Sequence, residues 1–115
     1  MTMRRPMGRD RWQRGWRKQR ALDGASATVC DAEGRIVEVE HYETTGECCG
    51  REPLVRVRIE TPTGELIARE VPRRVSDTAY DVHVVDAQGT LRLILHHLDV
   101  GRGEPFALGE EWVDR

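Results

Sequence analysis

The side chains with the widest chemical range in this chain are Cys30, Cys48 and Cys49 and the histidines His41, His83, His96 and His97. Thiolate and imidazole together suggest zinc, which takes about four tetrahedral ligands, with paired cysteines separated by about two to four residues. The adjacent Cys48-Cys49 pair fits that spacing poorly. A set of His41, Cys48, Cys49 and Cys30 can be drawn, since His41 is close in sequence to the cysteine pair and Cys30 lies on the facing strand. The simpler expectation is no metal, with Cys30 packed as a small apolar side chain and the pair in a 44–52 loop. An odd number of cysteines also argues against a disulfide framework. His96 and His97 are neighbours on a predicted strand, point to opposite faces and cannot serve one centre together. His83 and Asp81 are expected to face solvent. Ser26 and Ser76 do not sit in a Gly-x-Ser-x-Gly elbow, and no glycine-rich loop matches a phosphate cradle. Glu38, Glu40, Glu43 and Glu47 read as an exposed acidic face. The sequence therefore predicts no catalytic residue and no cofactor.

Charge is the stronger signal. The formal net charge is −2, yet residues 1–20 carry Arg4, Arg5, Arg9, Arg11, Arg14, Arg17, Lys18 and Arg20 against Asp10 alone, so a +7 segment precedes a remainder of −9. A basic arm on an acidic body is suited to nucleic acid, an acidic protein surface or anionic lipid. Asp10 and Gln13 have the spacing of a capping box, which predicts a helix over 11–22 closed by Asp23-Gly24. Gly15 weakens its middle by about 1 kcal/mol relative to alanine. Trp12 and Trp16 would then share a helical face, flanked by Arg11, Arg14 and Lys18.

From Ala25 onward the period becomes two. Asp31-Ala32-Glu33-Gly34, Thr61-Pro62-Thr63-Gly64 and Asp86-Ala87-Gln88-Gly89 share one turn chemistry. Each has an acceptor side chain first and a glycine fourth, as in a hairpin loop with a glycine bulge. The flanking strands are predicted at 28–31 and 35–41, 54–61 and 65–71, and 80–86 and 90–98. Val55, Val57 and Ile59 alternate with Arg56, Arg58 and Glu60. Tyr80, Val82 and Val84 oppose Leu91, Leu93 and Leu95, and Val37, Val39, Ile67 and Val71 complete the expected core. At 115 residues the chain has room for one domain. The predicted fold is all-β: a small, strongly bent barrel of about six antiparallel strands in three hairpins with a short N-terminal helix. The chain divides into a basic arm and helix (1–24), the small β-barrel (25–100) and a C-terminal tail (101–115), whose Phe106, Leu108 and Trp112 are expected to cover an open end or edge.

The segment 54–100 resembles small Sm-like β-barrels, including the WYL-type domain, in Val57-Arg58-Ile59, Thr63-Gly64-Glu65, Arg69-Glu70-Val71-Pro72, Tyr80-Asp81-Val82 and Leu91-Arg92-Leu93. Gly34-Arg35-Ile36-Val37-Glu38-Val39 is similar to the opening of KOW-type or CarD-type barrels, which implies RNA polymerase or ribonucleoprotein as a partner. The WYL hallmark itself is replaced here by Ala79-Tyr80-Asp81, so no ligand site is carried over.

No window approaches the roughly 18 apolar residues of a bilayer crossing, and no apolar stretch follows the basic N-terminus. A soluble, cytoplasmic protein is expected. The expected function is a non-enzymatic adaptor whose Arg/Trp-rich helix docks on nucleic acid or on a nucleoprotein or transcription assembly. Arg4, Arg5, Arg9, Arg11, Arg14, Arg17, Lys18 and Arg20 supply the charge and Trp12 and Trp16 the apolar anchor. Arg73-Arg74, near Arg56, Arg58 and Arg69, forms a second basic cluster. The alternative is a phage or virion structural subunit, a head, connector or tail component, whose arm and tail contact neighbouring copies.

Overall fold

The computed structural model describes residues 5–44, 54–99 and 106–113. One helical turn, α1 (Asp10–Gln13), precedes eight strands: β1 (Arg17–Arg20), β2 (Ser26–Cys30), β3 (Ile36–Thr44), β4 (Val55–Glu60), β5 (Leu66–Ser76), β6 (Ala79–Asp86), β7 (Leu91–Leu98) and β8 (Phe106–Trp112). They form one antiparallel meander in sequence order, from β1 to β8. The sheet curls into a half-barrel, so the architecture is all-β, with eight strands where about six were expected.

The three expected turns form as their chemistry dictates. Asp31 Oδ1 accepts from the amides of Glu33 and Arg35 at 2.9 and 3.0 Å, and Asp86 Oδ1 does the same for Gln88 and Thr90 at 3.0 and 2.9 Å. Thr61 Oγ1 accepts from the Glu65 amide at 3.0 Å. The closing glycines have φ of +86°, +95° and +86°, the left-handed region where a Cβ is unfavourable. A register shift beside each turn marks the bulge and tightens the local twist. In the last hairpin it sets Val84 against Leu93 and Val82 against Leu95, while Leu91 falls opposite Val85 and Tyr80 opposite His97.

The helix expected over 11–22 is not formed. The single turn α1 has Arg9 as its N-cap, without a side-chain bond, and Asp10 instead pairs with Arg14 at 3.1 Å. Gly15, at φ +88°, ends the helical path, and residues 17–20 pair with β2 as an edge strand. Gly24 is left-handed as expected, at φ +71°. It closes a β1–β2 hairpin, however, with its amide donating to Ala21 O. The other unexpected strand, β8, comes from the predicted tail and covers the edge of β7.

The concave face carries Ala27 and Val29, Val57 and Ile59, Ala68, Val82 and Val84, and Leu93 and Leu95. At its centre Ile59, Ala68, Val84 and Leu93 pack with Met7 of the N-terminal segment and Trp112 of β8. Alternation along β3 turns Glu38 and Glu40 inward, at 2% and 1% exposure. Val37 and Val39 are only half-buried and Val55 is exposed. The acidic face expected at the surface is thus partly interior, and these three valines leave the core.

Candidate anion-binding surface

The basic arm divides into an internal and an external set. Arg11, 4% exposed, runs into the half-barrel and meets Glu38 at 2.9 Å, Glu40 at 3.2 Å and Glu70 at 3.8 Å. Its Nε donates to Gly8 O at 3.2 Å. Lys18 reaches Glu40 at 2.8 Å, and Arg5 pairs with Glu38 at 3.5 Å and donates to Val37 O at 3.0 Å. Arg11 was expected among the phosphate contacts. Its guanidinium is instead consumed by carboxylates that cannot be left charged and unpaired in the interior.

These pairings also set the proton affinities. Burial lifts the Arg11 requirement for partners and by itself lowers its pKa, but Glu38, Glu70 and Glu40 more than reverse that. Burial pushes the Glu40 carboxyl up, yet Lys18, the Tyr42 hydroxyl and Arg11 together hold it below its ordinary value. Glu70 goes the other way: burial dominates and raises its pKa despite Arg11. A raised carboxyl pKa means that the folded state keeps the proton longer. Its contribution is full below the unfolded value of about 4.3 and is lost as pH rises through the folded value. Glu70→Gln removes that loss. The stability difference between variant and wild type, measured by urea unfolding across a pH series, therefore shifts in the variant's favour as pH rises from 4 upward.

Arg9, Arg14, Arg17 and Arg20 stay at the surface with Trp12, which is 38% exposed. The Arg11 and Lys18 cations lie over the Trp12 ring at 4.4 and 5.4 Å. Trp16 is half-buried and borders a separate hollow with Pro6, Val37 and Pro62. The two indoles accordingly have different surroundings, because no helix aligns them. Arg4 lies outside the described residues.

A second basic group lies on the convex face. Register places His41 opposite Arg58 and Arg58 opposite Arg69, a row of three cationic or potentially cationic side chains on adjacent strands. Strands lie about 4.8 Å apart, and like charges directly opposite each other are destabilising. Glu60 relieves part of the row: it bonds tightly to Arg58 and lies 3.4 Å from His41. Arg58, followed by His41, holds the Glu60 carboxyl below its usual range against the opposing effect of burial. Arg69 makes no ion pair with any described residue. Pairing between β4 and β5 ends at Val57 and Glu70, beyond which β5 continues beside β6 alone. The strands separate around a hollow of about 470 Å³ lined by His41, Tyr42, Arg56, Arg58 and Arg69 along with Glu43 and Glu70. The Arg20 guanidinium lies over the Tyr42 ring at 5.2 Å, on the concave face, where Arg20 is aligned with Ala27 and Tyr42 with Val57. Sequence reading found the arginines but not the row, which depends on strand register.

Arg74 is engaged with Asp99 at 3.2 Å and lies over Tyr80 at 5.6 Å, while Arg73 is exposed opposite Asp81. His96 is held between Asp81 at 2.7 Å and Glu111 at 3.2 Å, whereas His97 stacks on Tyr80 at 4.9 Å. They point apart, as their adjacency requires. Hydrogen bonding to Asp81 raises the His96 pKa over the opposing effect of burial, with Glu111 assisting. Cys30 is a half-buried thiol; Cys48 and Cys49 lie outside the described residues. Among the described residues no group of three or more His, Cys, Asp or Glu is arranged to hold a metal, and no helix is long and apolar enough to cross a membrane. Comparison with known proteins gives no match to a family model, a curated protein or a solved structure.

Proposed function

Starting from that surface, we propose that the protein is a non-enzymatic interaction module that docks on a polyanion, namely nucleic acid or a nucleoprotein assembly. The observation carrying this reading is the opposition of Arg58 and Arg69 with His41 beside them. A folded sheet that sets cations side by side gains most from an anion shared between them, and arginine's forked donors suit phosphate. Arg14, Arg17 and Arg20 extend the field along the arm. The row lacks interleaved aromatic rings, so it favours backbone phosphates over stacked unpaired bases.

Fluorescence anisotropy with labelled duplex DNA and RNA across a salt series tests this reading. Affinity should fall steeply as salt rises because neutralised phosphates release counterions. Arg58→Gln/Arg69→Gln should weaken binding across sequences and reduce the slope of log K against log salt by about 2. A flat salt response, or no binding at low salt, rules the polyanion out. The second reading, a structural subunit assembling with copies of itself, is favoured by the two open sheet edges.

A further inference from the structure

Among the described residues β1 pairs only with β2 and β8 only with β7, which leaves the two outer edges of the meander open. Open edges are usually blunted by charge, proline or brevity. The β1 edge is short and basic, Arg17-Lys18-Gln19-Arg20, and exposed throughout. The β8 edge is longer and pairs an apolar start with an acidic end: Phe106 and Leu108 are 60% and 62% exposed, and Glu110-Glu111 follow Gly109.

We infer that β8 of one copy adds to β1 of a second copy, continuing the sheet from molecule to molecule. Seven successive antiparallel pairings make β1 and β8 run in opposite directions. A neighbour placed in the same sense therefore presents β8 antiparallel to β1, and the alternation of the meander continues unbroken. Facing parity then fixes the register. Arg17 and Glu111 both lie on the convex face, opposite Cys30 and Ile94 within their own sheet. Lys18 and Glu110 lie on the concave face, opposite Val29 and Leu95. Setting Arg17 against Glu111 places Lys18 against Glu110, Gln19 against Gly109 and Arg20 against Leu108 without turning any side chain to the other face. The charge complementarity rests on Arg17 with Glu111, since Lys18 is paired with Glu40 and Glu110 with Arg9. Arg17 makes no ion pair with any described residue, and no substituent on Gly109 crowds the approach. The contact joins different edges, so it is head-to-tail and yields rings or filaments.

Light scattering and sedimentation of the full chain over a concentration series, without nucleic acid, test the inference independently of the polyanion reading. The average mass should rise above the 13.2 kDa of one chain. Arg17→Glu and Glu111→Arg each set like charges opposite each other and should weaken association by about tenfold. The double variant Arg17→Glu/Glu111→Arg restores the pair with its polarity reversed and should recover most of the loss. Circular dichroism of all three variants establishes that each is folded, and the double variant separates a broken contact from a damaged strand, since Glu111 also bonds His96. A wild-type chain that stays monomeric throughout, single variants that associate like wild type, or a double variant as weak as the singles overturns the inference.

Discussion

Replacing Arg11 with methionine lowers the unfolding free energy by about 3–5 kcal/mol, the cost typical of removing one partner from a buried ion pair. Methionine fills much of the volume, so the loss is chiefly electrostatic. Glu38 and Glu40, 2% and 1% exposed, keep Arg5 and Lys18 as cationic partners, and Glu70 loses its 3.8 Å contact. Against a typical total of about 5–15 kcal/mol, this leaves a marginal fold. Urea unfolding at neutral pH reads the loss. Its pH dependence identifies the cause: Glu40 is depressed by its cations in the wild type, so its contribution is present above the unfolded value of about 4.3 and disappears as pH falls through the folded value. The gap between wild type and Arg11→Met should therefore narrow in acid. A gap that stays constant with pH would mean that shape, and not charge, holds Arg11 in place.

Gly8→Ala is the second large effect. Gly8 has φ +60°, which costs a side-chain-bearing residue about 1–2 kcal/mol. A Cβ there would stand 2.8 Å from Leu93 Cδ2 and would collide with the Glu110 carboxylate. Glu110 can swing aside, although it also accepts from the Arg9 amide at 2.5 Å. Leu93 is fully buried, and overpacking a core costs about 1–3 kcal/mol more. Gly34, Gly64 and Gly89 provide the internal control: φ is also positive, at +86°, +95° and +86°, but nothing lies within 4 Å of a built Cβ. Alanine at those turns should cost only the backbone share. If thermal unfolding gives Gly8→Ala the same loss as Gly64→Ala, the arm is not seated against β7 and β8 as described.

Both effects concern the segment that the charge pattern assigned to a partner. Arg11, Arg5 and Lys18 turn inward, which reduces the charge the arm offers to the proposed polyanion, and Arg20, over Tyr42 on the concave face, stands apart from the convex row. The proposed anion surface is therefore divided between the exposed arginines of the arm and those of the sheet.

Local chemistry explains which parts of this arrangement were legible. An acceptor at the first turn position and glycine at the fourth specify a hairpin within five residues, so the three turns, their bulges and six of the strands follow from the sequence alone. The same logic misread Asp23-Gly24, because a left-handed glycine closes a helix as readily as a hairpin. Only the neighbouring strand β2, whose edge residues 17–20 cover, selects between the two. β8 carried little alternation in Phe-Ala-Leu-Gly-Glu-Glu-Trp, and its pairing depends on β7 offering an open edge.

What the residues by themselves determined is the turn chemistry, the period-two strands and the uneven distribution of charge, since each depends on contacts within a few positions. Tertiary structure alone decided which carboxylates became interior, which cations were drawn in to meet them and which arginines stand opposite one another. Those outcomes depend on strand register and on the curl of the sheet: alternation defines two faces for β3, but only closure around Met7 and Arg11 determines that the face bearing Glu38 and Glu40 is the inner one.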